Sequence, residues 1–182
     1  VEARTVKKQD HIDETEYPRL SFRDAAGQYR DTLAADGLVM AVSVPEPEKM
    51  KETAWKNAAR LLASASEAGF TPLLLTASDP ASFSSLIASG KYTQAESMTL
   101  LTSVYYSDYK TLISLNRSNG GAVYFNDGNI ISKWAARSLP SNRKLGKLIR
   151  KDRVEVMLDA DGKGKLLFEA FMLYTFTLML IL

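Results

Sequence analysis

The side chains equipped for chemistry are few and scattered along the 182 residues. Glu46 and Glu48 stand two apart in Pro45-Glu46-Pro47-Glu48, a loop stiffened by two prolines. A carboxylate pair suits general acid–base work only if one member stays protonated near neutral pH. These two lie at what reads as a helix start, where the helix dipole favours ionised carboxylates and works against a general acid. They read as helix-capping groups. The single histidine, His11, lies beside Asp10 and Asp13 in a polar stretch. A flexible Asp-His-x-Asp offers a metal ion no preformed geometry. A Ser–His–carboxylate triad would have to run through this one imidazole. Arg117-Ser118-Asn119-Gly120-Gly121 has the composition of a phosphate-cradling loop, but such loops follow a strand and open a helix. This one follows a helix and opens a strand, so it reads as a turn that lets the backbone approach its neighbour closely. Tyr105, Tyr106 and Tyr109 cluster at another helix start and read as partly core rather than as a partner surface. No catalytic residue, metal site or cofactor is assigned.

Cysteine is absent from the sequence, which removes disulfides, thiolate chemistry, zinc fingers and iron–sulfur clusters together. The net charge of +2 argues against a whole-protein electrostatic role on nucleic acid. With 46% hydrophobic and 24% charged residues, a packed core is expected. A first residue of valine rather than methionine reads as a cut in a longer chain.

Residues 1 to 17 are polar and aperiodic, and read as a linker ahead of a domain spanning residues 18 to 158. Leu20 to Leu33 reads as a short hairpin around the polar turn Asp24 to Gln28. Gly37 to Val44 is a continuous apolar run of strand length, the pattern of a strand buried on both faces. Pro45 and Pro47 stop it. Lys49 to Ala68 then reads as a helix that buries Trp55, Ala58, Ala59, Leu62, Ala65 and Ala68 at spacings of three and four, with Gly69 at its end. Thr71 to Thr76 reads as a second buried strand. Ser78-Asp79-Pro80 is a capping signal for a short helix, Ala81 to Ser89. That strand–helix–strand unit implies a parallel pair. Ala95 to Thr102 is ambiguous between helix and a third strand. Ser107 to Asn116 reads as a helix. Gly121 to Phe125 and Asn129 to Trp134 flank Asn126-Asp127-Gly128, a strong hairpin cue because glycine supplies positive φ. Asn142 to Arg150 reads as a last amphipathic helix, and Val154 to Leu158 as a further strand.

Residues 166 to 182, LLFEAFMLYTFTLMLIL, differ in kind: only Glu169 is charged. The run sits at the low edge of the about 20 residues a membrane-spanning helix needs. It reads as a membrane-associated segment whose partner is lipid, with an internal core element as the alternative. Residues 143 to 165 hold eight Lys or Arg against four Asp or Glu, which suits a headgroup zone. They lack the interleaved aromatics of a nucleic-acid surface.

The order of elements, and the segment Leu115 to Trp134, LNRSNGGAVYFNDGNIISKW, resemble thioredoxin-like proteins. Arg117 to Gly121, Asp127-Gly128, Lys133-Trp134 and Leu139-Pro140 look like the C-terminal soluble domain of Bacteroidetes DoxX-type membrane proteins. The resemblance covers about residues 37 to 150. It implies an α/β fold of three α/β/α layers around a mixed central sheet, to which the tail adds a hydrophobic C-terminal helix. It also implies a domain beside a membrane and facing the periplasm, although the basic run before the tail favours the cytoplasmic side. The departures decide the function. Thioredoxins carry Cys-x-x-Cys where this chain has Pro45, Glu46, Pro47 and Glu48, and a cis proline where it has Asn119 and Gly120. Disulfide exchange needs a thiolate. The expectation is therefore a redox-inactive, non-enzymatic domain acting through an unidentified protein partner or as a structural appendage. The alternatives are an enzyme using carboxylates or backbone groups at Pro45–Glu48 and Asn119–Gly121, and a soluble domain with the tail as core.

Overall fold

The computed structural model describes residues 20–150 together with 171–174, 176 and 179. It is a mixed α/β fold around five strands in the order β3-β2-β1-β4-β5. The centre is β1, Leu38–Val44, whose residues from Val39 onward are all buried. This explains the unbroken apolar run: both faces of the strand meet core. β2, Thr71–Thr76, lies parallel to β1 on one side. β4, Gly121–Asn126, lies antiparallel on the other. β3, Val104–Tyr106, pairs parallel with β2 over Leu74 to Thr76 only. Pro72 therefore lies beyond the reach of β3, where β2 forms an edge and proline is tolerated.

The helices cover both faces. α1, Glu52–Glu67, buries Trp55, Ala58, Ala59, Leu61, Leu62 and Ala65. Leu61 joins the expected face and Ala68 packs at its margin. α2, Pro80–Ser89, α3, Gln94–Thr102, and α5, Asn142–Arg150, share a core with α1 over Met40, Val42, Val44 and Leu74. Trp55 is 1% exposed and meets Phe83 of α2 edge-on. Truncating so large a buried side chain costs about 3–5 kcal/mol. On the opposite face, Val39, Ala41, Leu73, Leu75, Val123 and Phe125 pack against α4, Tyr109–Leu115, and against Phe22 and Ala34.

Three local expectations change. Residues 20 to 33 form one bridge, Arg23 to Tyr29, followed by a 3-10 turn at Asp31–Ala34, not a full hairpin. Arg23 also exchanges two backbone hydrogen bonds with Tyr106, both 2.8 Å, which adds this segment to the free edge of β3. The ambiguous stretch is helix: Thr93 caps α3, and Glu96 reaches back to the Thr93 N–H in a capping box. The third strand follows it. The helix expected from Lys49 starts later, because a 3-10 turn at Pro47–Lys49 and an extended Met50 come first.

The hairpin of β4 and β5, Asn129–Trp134, is as the sequence implies. Asp127 and Gly128 take φ of 47° and 77°, the left-handed pair of a tight turn. A register shift between Tyr124 and Phe125 marks a bulge. The linker, the expected strand at Val154–Leu158 and much of the tail lie outside the described residues. Residues 171–174 are helical. Among the described residues no helix is long and apolar enough to cross a membrane.

Acidic caps hold three helix starts. Asp79 accepts from the Ala81 and Ser82 N–H groups, and Asp108 from Thr111. Asp79 is held below its ordinary 3.8 chiefly by Ser82, Asp108 chiefly by Thr111, and Glu96 below 4.5 chiefly by the Thr93 N–H. A carboxylate with a depressed folded pKa stabilises above its unfolded pKa, and the contribution fades as pH falls through the folded value. Urea midpoints should hold from neutral pH down to about pH 5 and drop below about pH 4. Asp79→Asn with Asp108→Asn, which keeps capping atoms without titration, should flatten the drop. A midpoint that climbs on acidification would contradict this.

Candidate functional site

Two loops meet at one end of the central strands. Pro45 leaves β1 still buried, Glu46 is half-buried, Pro47 is buried and Glu48 is exposed. Asn119 and Gly120 come from the turn that enters β4. The Glu46 N–H donates to Asn119 Oδ1 at 3.2 Å, and Asn119 Nδ2 donates back to the Glu46 carbonyl at 2.8 Å. The asparagine thus reads the backbone of the first loop as a neighbouring strand would. The Gly120 N–H continues the pattern, donating to the Ser43 carbonyl at 2.8 Å. The sequence-selected positions Pro45, Glu46, Pro47, Glu48, Asn119 and Gly120 are therefore brought into one neighbourhood.

The second loop is built by its own polar side chains. The Ser118 N–H donates to Asn116 Oδ1 at 3.0 Å. Asn116 Nδ2 serves the carbonyls of both Ala122 and Trp134, at 3.2 and 3.1 Å. Ser118 Oγ accepts from the Ala136 N–H at 2.9 Å. Gly120 takes φ of 81°, a conformation that side chains resist. Gly121 is glycine for want of space: an added Cβ would stand 2.6 Å from Asn116 Nδ2 and 2.7 Å from the Trp134 carbonyl. The close-approach reading of this turn holds.

The carboxylates do something other than cap α1. Its N-cap is Lys51, which makes no side-chain capping bond. The reason is the delayed start: with the 3-10 turn interposed, neither glutamate reaches the first free N–H groups of the helix. Glu46 Oε1 instead pairs with Lys49 Nζ at 2.7 Å. That bond, and then the negative charge of Glu46, hold the Lys49 ammonium above its ordinary 10.5. The pair is largely solvated and adds little to stability. The side chain of Met50 closes the other flank. An added Cβ at Gly120 would lie 3.1 Å from its terminal methyl and 3.2 Å from its sulfur. A thioether cannot act as a thiolate nucleophile.

Sequence reasoning gave no site role to Asn116, Lys49 or Met50. Asn116, Ser118 and Asn119 were visible as residues that bond backbone in turns, but partners such as Glu46, Trp134 and Ala136 are distant in sequence. Asp10, His11 and Asp13 lie outside the described residues. Of the tyrosines, Tyr106 is buried against Phe83, Tyr105 packs edge-on against Phe22, and Tyr109 is half-exposed. Among the described residues, no group of three or more His, Cys, Asp or Glu is placed to hold a metal ion. Comparison with protein-family models, with curated proteins and with solved structures returns no match.

Asn119→Ala strands the backbone groups of Glu46 in a part-buried seam and should cost about 1–3 kcal/mol in urea denaturation. An unchanged midpoint would show that the two loops hold their places without it.

Proposed function

We propose that the chain is a redox-inactive, thioredoxin-like domain of a membrane-associated protein, working through a protein partner or as a structural appendage. The strand order supports the fold reading. A parallel pair, β1 and β2 joined by α1, adjoins an antiparallel pair, β4 and β5, with α5 following on the same face as α1. α4 lies on the other face, and β3 adds to the outside of β2. The resemblance to the DoxX-type C-terminal domains supports a position beside a membrane, on the periplasmic side.

One observation carries the functional reading. The two loops that hold a thiol pair and a cis proline in active thioredoxins are here bonded to each other through Asn119 and the Glu46 backbone. They carry prolines, an acid paired with Lys49, an exposed acid, an amide and a glycine. This seam holds the two loops together at one end of the sheet and carries no thiol to attack a disulfide. The purified chain should reduce insulin disulfides and oxidise a small dithiol no faster than buffer. Catalysis of either reaction above that background would overturn the reading.

The lipid partner is proposed for residues 166 to 182. Tyr174, Phe176 and Met179 are more than half exposed, with Met179 at 81%, so their apolar surface is not spent on the domain core. A chain truncated after Lys165 should keep the domain's thermal transition and lose any need for detergent. Loss of that transition on truncation would make the tail a core element instead.

A further inference from the structure

α5 presents a face that the described core does not use. α5 is fixed by Leu145 and Leu148, which are 1% and 5% exposed in the core shared with α1. Its remaining side chains point outward, and its charged ones are all cations: Arg143, Lys144, Lys147 and Arg150. Between Asp127 and Asp152 the sequence has no acid at all, while Lys133, Arg137 and Lys151 add to the positive charge. Lys144 lies over the Trp134 ring at 5.2 Å. Arg143, Lys147 and Arg150 make no ion pair with a described residue, whereas Arg30, Lys49 and Lys56 each do. Between those three cations Gly146 supplies no side chain. An added Cβ there would meet nothing within 4 Å, so Arg143, Lys147 and Arg150 border an open furrow.

We infer that this face of α5 docks on the anionic headgroups of a lipid bilayer, with the furrow over Gly146 receiving a headgroup phosphate. This rests on the reading of residues 166 to 182 as lipid-seeking and deepens it by naming the lipid class and the second contact. Helix-dipole compensation accounts for cations in the last turn, Lys147 and Arg150. It does not account for Arg143 and Lys144 in the first turn, where positive charge opposes the dipole. The Trp134 ring accounts for Lys144, and a membrane accounts for Arg143 together with Lys147 and Arg150. The apolar run begins within twenty residues of Arg150, and basic residues this close to a lipid-embedded segment meet the negative surface potential of anionic leaflets. Nucleic acid is the lesser fit, because the outward face of α5 carries no aromatic side chain for stacking.

The test uses the full chain and vesicles of phosphatidylcholine alone or mixed with phosphatidylglycerol. At limiting lipid, partitioning should be stronger on the mixed vesicles and should weaken with added salt. Arg143→Gln with Lys147→Gln and Arg150→Gln should remove about a hundredfold of that preference, at roughly fivefold per cation. Wild-type protein provides a reading that needs no variant to fold. Lys147 should be shielded several-fold from a membrane-impermeant acylating reagent on the mixed vesicles, with Lys91 unshielded. Equal partitioning and equal acylation on the two kinds of vesicle would overturn the inference while leaving a lipid-seeking tail. Charge-dependent binding to mixed vesicles with none to neutral ones would sustain the inference and overturn the tail reading. Tighter binding of duplex DNA than of mixed vesicles, lost in the same triple variant, would reassign the face to nucleic acid.

Discussion

The arrangement of the whole domain depends on β1 being hydrogen-bonded along both sides and buried on both faces. Val39 to Val44 pair with β2 on one side and Leu38 to Ser43 with β4 on the other, and the apolar side chains divide alternately between two cores. Any polar side chain in this run has to find a partner inside. The one that occurs, Ser43, donates its hydroxyl to the Leu112 carbonyl of α4 at 3.2 Å. Helices are then needed on each face, because a strand that is apolar above and below cannot leave either side in water. α1 and α5 supply one cover. α4 and the chain around Phe22 supply the other.

The seam at the end of β1 follows from the same constraint. A strand this buried must bring its chain out of the sheet abruptly, and Pro45 does so while itself still buried. The polar groups freed at such an exit have to be satisfied locally. Asn119 meets that need from the neighbouring loop, which in turn owes its shape to Asn116, Ser118 and two glycines. Glu46 is thereby engaged twice, through its backbone by Asn119 and through its carboxylate by Lys49.

Legibility in the sequence tracked how local each signal is. β1, β2 and the β4–β5 hairpin were legible because their cues are contiguous: an apolar run, or Asp-Gly between two such runs. α2 announced itself through Ser78-Asp79-Pro80. The start of α1 did not, because Pro47 suits the first turn of a 3-10 segment as well as that of an α-helix. α3 hid behind Met98, Thr99 and Thr102, residues that satisfy a strand pattern as easily as a helix one. The Thr93–Glu96 capping box was the cue that distinguished them. No contiguous cue marks the convergence of Glu46 with Asn119 or the bonds that lock them, since the Asn119 side chain meets the backbone of a residue 73 positions away.

The Arg23–Tyr106 bridge has a consequence for self-association. A bare outer strand invites a second chain to lengthen the sheet, and at β3 that place is taken by the protein's own N-terminal segment. The opposite border, β5, carries Lys133 and faces the bulged stretch of β4, both features that discourage stacking of like strands. Among the described strands, ribbon-like extension is thus disfavoured at each margin.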